Sequence, residues 1–163
     1  MEKGRFVARK SDNHPVRYDE WAMKLGVEFY RHSEVPVRLL YHLMKGKRLH
    51  SFSAIMLRSP MEGFGEFLRT HKRKTDLLYE VAPEEGVYAL FCQETQVDGG
   101  YYFMQRLMGL MEQENNPDFH AAIVGVESTI YPVQDLIFIV LDDFVELITE
   151  EEPLELITFR TVK

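Results

Sequence analysis

The segment that most constrains the fold is residues 73–95, RKTDLLYEVAPEEGVYALFCQET, because it reads as two strands joined by a tight turn. Leu77–Val81 and Val87–Gln93 are rich in aliphatic, branched and aromatic residues, a composition typical of β-strands. Pro83 and Gly86 lie between these runs, and both residue types favour turns. The segment therefore predicts an antiparallel hairpin, which must belong to a larger sheet to be stable.

Strand and helix patterns alternate on both sides of this hairpin. The further strands predicted are Ser51–Leu57, Phe119–Val126 and Leu154–Phe159. Three helices are predicted between these strands. The first begins at a capping box formed by Ser59, Pro60 and Glu62. The second has Asp98 as N-cap and Tyr102 facing inward, and the third begins at Pro132. The order from residue 51 is β-α-β-β-α-β-α-β. It predicts an α/β (α+β) fold with a palm-like or ferredoxin-like mixed sheet flanked by helices, which we expect on one face.

The chain before residue 51 predicts two helices and a loose basic segment. Residues 1–17 carry five bases against two acids and show no period, so we expect a flexible segment. A first helix is expected from Tyr18 to a break at His32 and Ser33, and a second from Ser33 to Gly46, with Val35 and Leu39 inward. Residues 18–163 then form one domain, with N-terminal helices over 18–50 and a sheet core over 51–160.

Composition excludes several function classes. The net charge of −7 disfavours a nucleic-acid-binding protein. No apolar run is long enough to cross a bilayer, and the N-terminus lacks the apolar stretch of a signal peptide. Cys92 is the single cysteine, and the six histidines lack the spacing of metal ligands. These features predict a cytoplasmic protein without a cofactor or bound metal, and a structural thiol at Cys92.

Three patterns in residues 51–160 together resemble a GGDEF (diguanylate cyclase) domain. The tetrad Arg73-x-x-Asp76 precedes a hairpin, the strand and helix from Val87 follow it, and Ile123-Val124-Gly125-Val126 stands before a closing helix. In that family Arg-x-x-Asp is the site that binds cyclic di-GMP. The resemblance implies a palm-like fold and a cyclic di-GMP site at Arg73 and Asp76, to which Arg69 or Lys72 would contribute a further cation.

The resemblance does not extend to the catalytic positions. A cyclase of this family carries metal-binding aspartates at the end of its first strand, whereas this chain has Met56-Leu57-Arg58-Ser59-Pro60. The two signature glycines that allow backbone to approach phosphate are replaced by Ala82 and Pro83. Glu84 and Glu85 keep the acidity of the hairpin, and we expect both at a solvated tip. The sequence therefore predicts a domain that does not make cyclic di-GMP.

Two functional hypotheses follow, and the environment of Asp76 separates them. A cyclic di-GMP effector would present Arg73 and Asp76 side by side to solvent, because the guanidinium donates to phosphate or guanine and the carboxylate accepts from guanine. A protein-interaction scaffold would instead use Asp76 in a local cap or ion pair. Either hypothesis predicts a protein partner or a homodimer, and Trp21, Phe29 and Tyr30 make the N-terminal helices a candidate surface. An active nucleotide-handling enzyme is a third, less favoured hypothesis.

Overall fold

The computed structural model describes residues 18–114, 118–150 and 156–163, together with the backbone of Arg5 and Phe6. The rest of the predicted basic segment lies outside these residues. The elements are β1 (Arg5–Phe6), α1 (Glu20–Lys45), β2 (Phe52–Arg58), α2 (Phe64–His71), β3 (Leu77–Ala82), β4 (Val87–Gln93), α3 (Val97–Gln113), β5 (His120–Val126), α4 (Val133–Thr149) and β6 (Ile157–Val162).

One mixed sheet organises the domain, with strand order β1-β6-β5-β2-β4-β3. β2 lies near its centre and pairs antiparallel with β4 and β5 over its full length. β6 runs parallel to β5 and to β1. The predicted hairpin is confirmed as β3 and β4, and so is the α/β class with helices flanking a mixed sheet.

The helices cover both faces of the sheet, which corrects the expectation of one covered face. Ala54 and Met56 of β2 pack in the core under α1 and α4. Ile55 and Leu57 point the opposite way, into the core under α2 and α3. Because both sides of β2 are apolar, each side needs a helical layer to exclude water.

The N-terminal region is one helix of 26 residues, so the prediction of two helices is wrong. Asp19 begins α1, and its carboxylate accepts a hydrogen bond from the Ala22 backbone N–H at 2.9 Å. Ser33 and Pro36 both lie buried inside the helix. Packing along the sheet stabilises the helix across these weak formers. Since the helical register continues, Val35 is exposed rather than inward, and Leu39 is exposed as well.

Two predicted caps do not act as caps. α2 begins at Phe64 after Gly63, which has φ +73°, and the Ser59 hydroxyl instead accepts from the Met61 backbone N–H at 3.1 Å. α3 begins after Gln96, so Asp98 lies in the first turn. The inward face of α3 is offset from the predicted one, because Tyr101 and Met104 are buried while Tyr102 is exposed.

The last strand is observed later in the chain than predicted. β6 covers Ile157–Val162, and most of the earlier part of the predicted strand, residues 154–155, lies outside the described residues. Within the described part of the chain, no helix combines the length and apolarity needed to span a bilayer.

Candidate functional site

The Asp76 side chain lies enclosed within the loop that joins α2 to β3 and hydrogen-bonds across that loop. It has no exposed surface. Oδ2 accepts from the Arg73 backbone N–H at 2.9 Å, and Oδ1 accepts from Nε and Nη2 of the same residue at 3.1 and 2.9 Å. Charge-assisted bonds of this kind are strong, and both carboxylate oxygens are used within the chain.

The Arg73 guanidinium joins this loop to the end of β4. Nη2 also donates to the Gln93 carbonyl at 2.9 Å and to the Thr95 hydroxyl at 2.7 Å. The hydrogen bond to Asp76 raises the pKa of Arg73. Just over half of the Arg73 side chain remains exposed, 53%. Arg73 is thus a fixed cation that still presents one edge to solvent.

The two cations predicted to assist Arg73 are engaged elsewhere. Lys72 Nζ donates to the backbone carbonyls of Arg73 and Asp76 at 3.2 and 3.0 Å, so it also stabilises the loop. Arg69 Nη2 donates to Glu80 Oε2 at 3.0 Å. Neither Arg69 nor Lys72 lines the cleft in which Arg73 lies, so the expected group of four binding residues is not assembled there.

That cleft has a volume of about 720 Å³ and lies between the Arg73 loop, the end of β4 and the first turns of α3. Arg106 lies on its wall with the guanidinium 5.0 Å from the Phe103 ring centroid, beside the exposed Tyr102. Cys92 is buried at its base, and burial raises the pKa of that thiol. The cleft offers cationic, aromatic and acidic groups, the last from Glu94 and Asp98, but no accessible Asp76 oxygen.

The hairpin turn between β3 and β4 contacts α1. Pro83–Glu85 form one turn of 3₁₀ helix. Trp21 Nε1 donates to Glu85 Oε1 at 2.6 Å, and the Arg58 guanidinium lies 6.0 Å from the Trp21 ring centroid. Glu84 is exposed as expected, whereas Glu85 is half-buried, so the prediction of two solvated glutamates is wrong for Glu85.

A third feature is a surface groove of about 820 Å³ between α1 and α4. Of the three α1 residues predicted to form a partner surface, Tyr30 lines this groove, Trp21 does not, and Phe29 is buried in the core. The walls of the groove include Met23, Val27 and Phe138, which are 60%, 63% and 52% exposed. Most of the exposed large apolar side chains among the described residues belong to this layer; they are Met23, Val27, Val35 and Leu39 on α1, and Ile130, Tyr131 and Phe138 in or just before α4. The one on the opposite layer is Tyr102.

Adjacent aspartates on α4 have different environments at the end of this groove. Asp142 is half-buried and accepts a hydrogen bond from the Tyr18 hydroxyl. Burial raises the pKa of Asp142. Asp143 points inward and pairs with Arg160, with Nε to Oδ2 at 2.8 Å and Nη2 to Oδ1 at 2.6 Å. Asp142 is therefore the carboxylate that lines the groove.

No protein-family model matches this chain, and a search of curated proteins finds no significant match. The resemblance to GGDEF domains consequently stays a prediction that depends on the sequence patterns. Within the residues that the structure describes, no three His, Cys, Asp or Glu side chains are grouped so as to hold a metal ion.

Proposed function

We propose that this chain is a non-catalytic protein-interaction module in which a GGDEF-like core serves as a scaffold. The observation that carries this proposal is the exposed apolar groove between α1 and α4. Contiguous apolar surface of this kind is a feature of interaction sites, because water contact with it is unfavourable until a partner covers it.

The environment of Asp76 supports the scaffold over an effector that reads guanine. Guanine recognition by a carboxylate needs lone pairs that face the ligand. Both Asp76 oxygens accept from Arg73, and the side chain is enclosed. The local ion pair expected of a scaffold is therefore present. A ligand would have to break three hydrogen bonds to reach Asp76.

The former catalytic positions support a role without turnover. The end of β2 carries Arg58 and Ser59, and a cation at that point repels the metal ions that phosphoryl chemistry uses. Glu85 in the signature hairpin hydrogen-bonds to Trp21. These side chains stabilise contacts between α1, the hairpin and β2.

Site-specific photo-crosslinking tests the proposal. The photoreactive residue p-benzoylphenylalanine replaces Val27 or Phe138 in the groove, and Tyr102 on the opposite layer as the control. The three side chains are similarly exposed, at 63%, 52% and 54%. Crosslinking to proteins that collide at random should therefore be about equally frequent at the three positions. We expect discrete protein adducts from Val27 and Phe138, and none from Tyr102, in cells of the organism that encodes the chain.

The same experiment has two adverse outcomes. Absence of adducts at both groove positions, with the protein folded and expressed, would contradict an interaction module that uses this surface. Adducts at Tyr102 alone would move the interaction to the α2–α3 layer and would equally contradict the proposal.

A second candidate is a cyclic di-GMP effector, favoured by the half-exposed Arg73 and by Arg106 and Tyr102 in the same cleft. Phosphate would meet the two guanidinium groups and a base would stack on Tyr102. Hydrogen exchange tests this placement. Protection of residues 73–76 and 97–106 by added cyclic di-GMP would support an effector, and unchanged exchange throughout the chain would remove it.

A further inference from the structure

We propose that the groove between α1 and α4 takes a basic amphipathic helix of a partner protein. The inference rests on the proposed interaction function and adds the class of partner. Its three supports are the shape of the groove, the apolar character of its walls and the charge of α4.

Small side chains on α1 produce the shape. Ala22 and Gly26 lie next to α4, and a Cβ added at Gly26 would come within 2.9 Å of Leu141 Cδ2. The Leu141 side chain therefore packs directly on the backbone of α1 at Gly26, and the exposed side chains of Val27 and Phe138 line the groove. From Ala22 to Tyr30 the groove follows α1 for roughly 12 Å, or about two helical turns. That length matches apolar anchors spaced i, i+4 and i+7 on a docked helix.

The charges on α4 favour a basic partner, whereas α1 carries both bases (Lys24, Arg31) and acids (Glu20, Glu28) in or beside the stretch that lines the groove. α4 contains four acids, Asp135, Asp142, Asp143 and Glu146, and no base. Asp143 is already paired with Arg160, which leaves Asp142 as the acid that lines the groove. The whole chain carries a net charge of −7, so a second copy is repelled at long range whereas a cationic helix is attracted.

Asp142 gives the partner a defined point of attachment. The carboxylate is half-buried at the end of the groove, next to the Tyr18 hydroxyl. Partial burial removes water from the anion and raises its pKa. A lysine or arginine that follows the last apolar anchor would replace the lost hydration with an opposite charge.

Fluorescence anisotropy with two labelled peptides tests the inference on the full chain. One is a leucine-lysine peptide with heptad-like amphipathic spacing, and the other carries glutamate in place of lysine. We expect saturable binding of the lysine peptide, at least about tenfold weaker binding of the glutamate peptide, and weaker binding of the lysine peptide as salt is raised.

Matched substitutions locate the binding. Phe138→Ser is paired with Tyr102→Ser, since both aromatic rings are about equally exposed, and Val27→Ser is paired with Val35→Ser on the same helix outside the groove. Asp142→Asn keeps the shape and removes the charge. We expect about a tenfold loss of affinity in each groove variant and roughly unchanged affinity in Tyr102→Ser and Val35→Ser.

Three results would overturn the inference. The first is that the lysine peptide does not bind to folded wild type. The second is that groove variants and their matched controls lose the same affinity for the peptide. The third is that the protein self-associates in sedimentation experiments and that Val27→Ser abolishes this association. If the first or third result is obtained while Val27 and Phe138 still form crosslinks, the basic-helix partner is rejected but the proposed interaction function stands. Loss of the crosslinks as well would remove both.

Discussion

Two arginine–aspartate pairs in this protein have similar chemistry and different settings. In both, a carboxylate with at most 2% of its side chain exposed accepts two guanidinium bonds. Arg73 and Asp76 are three residues apart, and Arg73 is 53% exposed in a cleft. Asp143 and Arg160 join α4 to β6, and Arg160 is 24% exposed. The first pair fixes a loop, and the second fixes α4 to β6, which lies in the parallel part of the sheet.

The difference shows that a recognisable motif need not be a free binding site. Both oxygens of the Asp76 carboxylate accept hydrogen bonds, as do those of Asp143, although the first pair fits a sequence pattern that predicts ligand binding and the second fits none. What separates the pairs is the exposure of the arginine, since Arg73 retains an edge for solvent. The apolar groove corresponds to no sequence motif. It exposes apolar side chains such as Val27 and Phe138 to water, whereas the carboxylates of both ion pairs are enclosed.

Removal of Arg160 should have the largest effect on stability. Arg160→Met leaves the Asp143 carboxylate buried beside an apolar chain, and breaking a buried pair in this way lowers the free energy of unfolding by about 3–5 kcal/mol. Urea denaturation measures it. The double variant Asp143→Leu/Arg160→Met should recover much of the loss, because no charge stays buried. Equal losses in single and double variants would contradict a pair-specific role.

The hairpin beyond the Arg73–Asp76 pair depends on its backbone. Gly86 has φ +73°, and a Cβ there would lie 1.9 Å from the Ser59 carbonyl oxygen. Gly86→Ala therefore combines left-handed strain with a clash, and we expect a loss of about 3 kcal/mol. Gly63 has the same φ with open space around the added Cβ, so Gly63→Ala should lose only about 1 kcal/mol. Equal losses in denaturation experiments would exclude the clash.

Asp76→Ala should lower the free energy of unfolding by about 2 kcal/mol, because the Arg73 backbone N–H loses its acceptor and the loop its charge-assisted bonds. The loss should be smaller than that of Arg160→Met, since water can reach the Arg73 guanidinium. Asp76→Asn, which keeps an acceptor for the backbone, should lose less than Asp76→Ala. A change below about 0.5 kcal/mol in Asp76→Ala would show that the pair does not stabilise the fold.

Tyr41 gives the opposite case, a buried hydroxyl without a hydrogen-bond partner among the described residues. Burial, with a smaller contribution from Asp135, raises the pKa of Tyr41 to about 12. The folded state therefore keeps its proton between pH 10 and about 12 while the unfolded state loses it, so this group's stabilisation falls as pH rises through that range. Tyr41→Phe should abolish this contribution to the loss of stability at high pH. It should change the free energy of unfolding at neutral pH by less than about 1 kcal/mol.

The measurement for Tyr41 is the difference between denaturation curves of wild type and Tyr41→Phe as a function of pH. Taking the difference removes the contributions of Tyr79 and Tyr88, whose pKa values burial also raises. A difference that stays constant up to pH 12 would show that Tyr41 titrates normally in the folded protein.

Local patterns predicted the hairpin and the position of the Arg73–Asp76 pair, because residues three apart near a turn must lie close together. They did not predict the Asp143–Arg160 pair, which forms only because α4 packs beside β6. The predicted break at Ser33 failed for the same kind of reason, since contact with the sheet stabilises α1 through Pro36.

The sequence predicted a partner surface on the N-terminal helices that included Tyr30, but it did not predict a groove shared with α4. No local pattern distinguishes Val27 or Phe138 from the apolar residues of the same helices that are buried. The groove combines side chains from α1 and α4, which become neighbours only in the folded layer. A single glycine in a long amphipathic helix, such as Gly26 in α1, is a weak signal for contact with another helix.

We propose that the Arg73–Asp76 pair stabilises the fold and that the groove is the site of protein interaction. Calorimetric titration of cyclic di-GMP into wild type and Arg73→Ala tests it most directly, with folding of both verified beforehand. We predict no heat of binding in either protein. Micromolar binding to wild type that Arg73→Ala abolishes would contradict the claim and establish the cleft at Arg73 as the functional site.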